Sequence, residues 1–160
     1  MPARQYWLVK SEPETFSFDD LLAAPGRTTH WDGVRNFAAR NHLRAMKKGD
    51  RVLFYHSSAK PTAVVGVAEV AREAYPDSTA LDKKDPHFDP KSKAEDPTWF
   101  MVDIKGVEAL KRPVTLDEIK KVKELSKMAL IRLGRLSVQP VTPEEFETIT
   151  RLGSEKGTVP

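Results

Sequence analysis

Between Trp31 and Arg44 the chain runs Trp-Asp-Gly-Val-Arg-Asn-Phe-Ala-Ala-Arg-Asn-His-Leu-Arg. A broad aromatic face, two amides and three guanidinium groups fall within these fourteen residues. Trp31 offers a flat surface for stacking, and Gly33, lacking a Cβ, lets another group approach the backbone. Arg35, Arg40 and Arg44 bring positive charge, while Asn36 and Asn41 each carry a donor and an acceptor. These types suit a planar, hydrogen-bonding group tethered to phosphate, which describes a nucleotide. They equally suit a core tryptophan, a turn and an amphipathic helix with a solvated basic face.

Charge distribution bears on the choice more than total charge. The 26 Lys and Arg exceed the 23 Asp and Glu by only three, a surplus too small to bind a polyanion unless it is concentrated. Residues 35–51 concentrate it, with Arg35, Arg40, Arg44, Lys47, Lys48 and Arg51 against Asp50 alone. Arg35, Arg40, Arg44, Lys47 and Lys48 are therefore the candidate phosphate contacts. A second basic run, Lys111 to Lys127, is diluted by Asp117, Glu118 and Glu124.

Other chemistries lack their residues. With no cysteine, disulfides, thiolate nucleophiles and cysteine-ligated metals are excluded. His30, His42, His56 and His87 show no metal-binding spacing, so neither a metal nor another cofactor is expected. No Gly-x-Ser-x-Gly elbow is present, and the eight glycines form no phosphate-cradling loop. Glu12 and Asp32 leave hydrolysis open if both face one cleft. No apolar run approaches the roughly 18 residues of a membrane span. Residues 1–10 are too short and too soon interrupted for a signal peptide, so a cytoplasmic, intracellular protein is expected, with association with the nucleoid as a second expectation.

The elements that must position these groups follow from residue patterning. Tyr6 to Val9 is aromatic and β-branched and reads as a strand ending at Lys10-Ser11-Glu12-Pro13, where the polar residues either line a site or form a turn. Ser17 caps a short helix containing Asp19 and Asp20. From Arg35 to Met46, Phe37, Ala38, Leu43 and Met46 trace a helical apolar stripe. Arg51 to His56 is a strand with Val52, Phe54 and His56 on one face and Leu53 and Tyr55 on the other. Ala63 to Ala74 is a longer strand in which Gly66 marks either a bulge or a close approach. Residues 76–97, rich in Pro and Asp, read as a solvated binding loop in which Phe88 is a candidate lid.

Thr98 to Ala109 is a further strand, expected to break at Pro113. Leu116 to Val122 and Ser126 to Leu133 read as short helices, and Arg135 to Val141 returns to extended chain. Thr142-Pro143-Glu144-Glu145 starts a last helix with Phe146, Ile149 and Leu152 on its buried side, followed by a loose tail over 153–160. The fold class is α+β: one domain over 1–152, whose twisted sheet of about five to six strands curls toward a small barrel flanked by short helices.

Six separated segments carry a family resemblance: Tyr6-Trp-Leu-Val-Lys-Ser-Glu-Pro13, Trp31-Asp-Gly-Val-Arg-Asn36, Phe54-Tyr-His-Ser57, Glu73-Ala-Tyr-Pro-Asp77, Phe88-Asp-Pro-Lys-Ser92 and Arg135-Leu-Ser-Val-Gln-Pro140. Together, over residues 6 to about 152, they resemble the EVE domain, in particular its stand-alone members similar to the thymocyte nuclear protein family. The resemblance implies a PUA-like pseudo-barrel related to the YTH and ASCH domains. It also implies a non-enzymatic, nucleic-acid-binding module that reads a modified base, chiefly a modified cytosine in DNA, by flipping it into an aromatic-walled pocket. A reader of modified RNA and an enzyme acting on a modified nucleotide are the alternatives.

Carried onto this sequence, Trp31 stacks on the base, and Lys10, Ser11 and Glu12 border the pocket. Asn36, Tyr55, His56 and Ser57 are candidates for its polar lining. Arg135, Leu136 and Ser137 either close the pocket or pack beneath it. Tyr75 and Phe88 are the candidates for a second aromatic, and Phe88 stands where the family often has an aromatic hydroxyl. The expected partner is DNA or RNA carrying a modified base, with no membrane, and the expected state is a monomer.

Overall fold

Alternating burial along the strands builds two cores on one sheet. In the computed structural model, which describes residues 4–154, six strands and five α-helices are present. The strands are β1 (Tyr6–Ser11), β2 (Thr28–His30), β3 (Arg51–His56), β4 (Ala63–Pro76), β5 (Phe100–Thr115) and β6 (Val138–Val141). The helices are α1 (Phe18–Ala23), α2 (Phe37–Ala45), α3 (Leu116–Lys121), α4 (Ala129–Arg132) and α5 (Pro143–Ser154). Trp7, Val9, Val52 and Phe54 point to one face and bury against Phe18 and Leu21 of α1 and Ala39 and Leu43 of α2. Leu8, Leu53 and Tyr55 point to the other and bury against Ile119, Leu130 and Ile149 of α3, α4 and α5. Each Val, Leu, Ile or Phe among them, taken fully out of water, contributes about 1.5–3 kcal/mol.

The sheet order is β2-β5-β4-β3-β1-β6. β1 and β3 run parallel with Tyr6 opposite Arg51 and Ser11 opposite His56, while the other pairs are antiparallel, so the sheet is mixed. It has the expected number of strands but does not close into a barrel: β2 pairs only with β5, and β6 only with β1. With helices on both faces, the sheet buries each side without wrapping around a lumen. The parallel β1/β3 pair brings two strand ends, Lys10-Ser11 and Tyr55-His56, to the same end of the molecule.

Local signals account for most boundaries. Ser17 and Asp20 form a reciprocal capping box on α1, and Thr142 and Glu145 exchange the same pair of bonds at α5. Both readings of Gly66 apply, since the β4–β5 register shifts between Val64 and Gly66, and a Cβ there would lie 2.4 Å from the Phe18 ring. Pro113 does not end β5. It lies between Ala109 and Val114, where the ladder to β4 skips, so its missing N–H costs no ladder bond there. The stripe expected on α2 is displaced: Ala39 and Leu43, four residues apart, and Met46 beyond the helix are buried, whereas Phe37 and Ala38 are exposed. α5 continues through Gly153 and Ser154, and the rest of the expected tail, 155–160, lies outside the described residues.

Asp50, the lone acid of the 35–51 basic run, is buried and accepts bonds from Gln5 N (3.0 Å), Trp7 Nε1 (3.0 Å) and Lys47 N (2.9 Å). It ties the start of β1 to the turn that leads from α2 into β3. Among the described residues no helix is long and apolar enough to cross a membrane, and no group of three or more His, Asp or Glu is placed to hold a metal ion.

Candidate nucleic-acid interface

At the end of the sheet where β1 and β3 finish, a cleft of about 660 Å³ opens. Its walls come from the end of β1 (Lys10, Ser11, Glu12), the following turn (Thr15, Phe16), the end of β2 and the segment after it (Thr29 to Arg35), His87 and Ser137. Trp31 lies just past β2, where its N–H donates to Val102 O at 2.7 Å. Its half-buried indole meets the rings of Phe16 and Phe54 nearly at right angles, at 6.5 and 5.5 Å between centroids. Perpendicular neighbours brace an aromatic plane without stacking on it.

The Trp31 wall is held from the far side by the 77–99 loop. Asp77, fully buried at its side chain, accepts from Gly33 N (2.8 Å), Arg35 Nη1 (3.1 Å), and the N–H and hydroxyl of Thr79. Burial pushes the Asp77 carboxyl up, but the bonds from Thr79, Gly33 and Arg35 outweigh it and hold the group below the usual carboxylate range. Gly33 has φ +77°, and a Cβ on it would fall 2.6 Å from His87 Nε2, so the imidazole lies directly on the glycine. Arg35 closes the network by donating to His87 O, Thr79 Oγ1 and Val34 O.

The opposite wall rests on the sheet. Lys10 N donates to Ser137 O, and Ser57 N donates to Ser11 O. The Lys10 ammonium reaches Gly134 O and lies 5.8 Å from the Tyr55 ring, and burial lowers its pKa. Ser11 Oγ donates to Phe16 O at 2.6 Å. The carboxylates of Glu12 and Asp32 both border the cleft.

Of the expected base-pocket residues, the cleft gathers Trp31, Lys10, Ser11, Glu12 and Ser137. Asn36 lies outside its lining, where Oδ1 caps α2 by accepting from Ala39 N. Tyr55 is buried in the second core. His56 stands behind the lining: its Nε2 accepts from Phe18 N at 3.1 Å, and burial lowers its pKa against the opposing pull of Asp19. Ser57 takes part through its backbone, Leu136 packs on the first core, and Arg135 is exposed outside the lining. Neither candidate for the second aromatic and possible lid, Tyr75 or Phe88, lines the cleft. Tyr75 donates to Asp103 beneath the Arg72 guanidinium, and its pKa is pushed up to about 12 by burial and by Asp103. Phe88 is half-buried beside His87, and the histidine is the one that reaches the cleft.

The basic residues divide. Arg35 lines the cleft but spends its donors on the loop. Arg40 donates to Thr98 O and Asn41 Oδ1 and lies 5.0 Å from the Phe37 ring. Arg44 covers Phe100 at 4.8 Å. Lys47 stands 4.0 Å from Glu73 with both side chains exposed, a pair worth about 0–1 kcal/mol. The Lys48 side chain is exposed beside it.

An open, mixed six-stranded sheet with short helices on both faces is the arrangement of a PUA-like domain. The EVE domain model matches residues 5–152, and the chain belongs to the EVE domain family. Among its relatives, thymocyte nuclear protein 1 of Rattus norvegicus is 48% identical over 164 residues, covering 92% of this chain and 73% of that protein. A solved structure of a Leishmania major protein superposes with a TM-score of 0.92 at 52% identity, over 98% of both chains. The human THYN1 protein in complex with 5-methylcytosine containing DNA superposes with a TM-score of 0.91 at 43% identity, over 94% of this chain and 98% of that one.

Proposed function

We propose that this chain is a non-enzymatic reader of a modified cytosine in DNA, which it holds, flipped out of the duplex, against Trp31. The observation that carries the reading is the Trp31 indole on the wall of a solvent-open cleft, in a chain so similar to human THYN1 solved with 5-methylcytosine containing DNA. A paired base presents no face to an indole, so it must leave the stack at a cost of a few kcal/mol. Stacking on Trp31 returns about 1–3 kcal/mol. The exocyclic amine of cytosine is a donor, and Glu12, Asp32 and the lone pairs of Ser11 Oγ are among the acceptors of the cleft-lining residues. Lys10 supplies donors for the acceptor edge of the base. A methyl group in an apolar corner adds only about 0.8 kcal/mol, so discrimination depends on a close fit around it.

Arg44, Lys47 and Lys48, at the far end of α2, are the proposed phosphate contacts, which makes affinity fall with salt. Arg35 and Arg40 act there mainly by fixing the surface. The test is a binding titration of oligonucleotides with and without 5-methylcytosine, as DNA and as RNA, at two salt concentrations. The modified DNA binds more tightly than the plain strand, and Trp31→Ala removes the difference while unfolding stays cooperative. Equal binding of modified and plain strands by the wild type would end the reader reading. The two carboxylates bordering the cleft keep an enzymatic reading testable in the same tubes: turnover of a modified nucleotide supports it.

A further inference from the structure

Phe37 is 59% exposed, the most exposed large apolar side chain among the described residues, at the first position of α2 and two residues from the cleft-lining Arg35. Trp99 links the ring to the cleft wall, since it packs on Phe37 and lies 5.5 Å from the guanidinium of the lining residue Arg35, so Phe37 stands beside the cleft and outside its lining. Its position is fixed. It stacks on Trp99 at 5.0 Å and 26°, and Trp99 is itself held by donating Nε1 to Asp89 at 2.6 Å. That bond keeps the Asp89 carboxyl below the usual carboxylate range. The Arg35 guanidinium lies 5.5 Å from the Trp99 ring and Arg40 lies 5.0 Å from that of Phe37. The Asn36 cap pins the helix start. An apolar ring left in water beside cations, on a fixed support next to the cleft wall, matches the surroundings of a nucleobase bound by stacking.

We infer that Phe37, with the Arg40 guanidinium beside it, is a second stacking position, which takes the nucleobase adjacent to the one held against Trp31. This rests on the proposed base-reading role of the cleft. Extruding one base leaves its neighbour with an uncovered face, and apolar side chains placed at such a step stabilise the opened stack. Phe37 carries no donor or acceptor, so it takes any base there and adds affinity without sequence preference. Arg44, on the same helix and already among the proposed phosphate contacts, supplies charge for the strand beyond that base.

The experiment compares a mononucleotide with duplexes across three proteins. The mononucleotide 5-methyl-2′-deoxycytidine 5′-phosphate fills only the cleft, whereas a duplex with one central 5-methylcytosine also has the neighbouring base. Phe37→Ala is expected to weaken the duplex about tenfold and leave the mononucleotide unchanged, and Phe37→Tyr is expected to restore duplex binding. A 2-aminopurine next to the 5-methylcytosine reports the contact directly: its emission in the wild-type complex is quenched relative to the Phe37→Ala complex. Unchanged duplex affinity in Phe37→Ala, with binding still dependent on the modification, overturns the inference and leaves the reader role standing. Equal loss for mononucleotide and duplex overturns it too, because Phe37 would then act on the cleft. Failure of the wild type to prefer modified over plain duplex removes the reader role and this inference together.

Discussion

The two walls of the cleft are held by different physics. The Lys10-Ser11-Glu12 wall continues a central strand, paired on both sides, and is fixed by backbone bonds and one hydroxyl. The Trp31 to Arg35 wall follows a three-residue strand and owes its shape to one buried carboxylate, Asp77, that reaches it from 44 residues further on. One wall is a consequence of the sheet. The other is an electrostatic assembly laid against it, and the aromatic surface belongs to that one.

The contrast can be broken most severely at Asp77. Asp77→Ala leaves the Arg35 guanidinium without its ion partner and Gly33 N–H without its acceptor, and should lower the unfolding free energy by about 3 kcal/mol in urea titrations. Because the folded Asp77 carboxyl lies below its ordinary value, its contribution is complete above the ordinary range and is lost as the pH falls through the lower folded value. Hydrogen exchange at acid pH should therefore open residues 31–35 before the end of β1. Simultaneous opening of both walls would remove the distinction between them.

A smaller effect is expected at Gly33. An alanine there meets the left-handed φ of +77°, a penalty of about 1–2 kcal/mol. Its Cβ also displaces His87, whose side chain is 44% exposed and whose Nδ1 lies 3.2 Å from Asp85 Oδ1. A shifted His87 imidazole resonance alongside the lower urea midpoint would report both; an unmoved resonance would place the imidazole elsewhere in solution.

The smallest effect sharpens the comparison from the other wall. His56, behind the end of β1, must stay neutral for Nε2 to accept from Phe18 N, and burial lowers its pKa from 6.5. As the pH falls below 6.5 the unfolded chain takes the proton first, so this contribution is present above that value and is lost through the lower folded pKa. An NMR titration should find the His56 imidazole below its free value; a value at or above it would remove His56 as the acceptor of that bond.

What could be read from the sequence follows the same division. Alternation in Val52-Leu53-Phe54-Tyr55 predicts both cores, and the Thr142 capping box predicts the start of α5, because each signal lies within a few residues. Trp31, Lys10, Ser11, Glu12 and Ser137, singled out through the family resemblance, line one cleft. The Asp77 to Gly33 bond spans 44 residues through a loop with no periodicity, and nothing local marks it. His87 was hidden for a related reason: beside Phe88 in a polar loop, only the fold decides which of two adjacent side chains turns inward. Phe37 misled because a helical stripe defines a period but not its phase, and the Asn36 cap starts α2 with Phe37 facing water.

The sheet's outer strands limit how anything else can join it. β2 offers three residues of unpaired backbone on one side, and β6 offers four on the other, one of them Pro140 with no N–H to donate. Borders so short and so poor in donors give little purchase for strand addition by another chain. Pairing with another chain's strand is thereby disfavoured at both flanks, and the cleft lined by the indole of Trp31 lies instead at the tips of the strands.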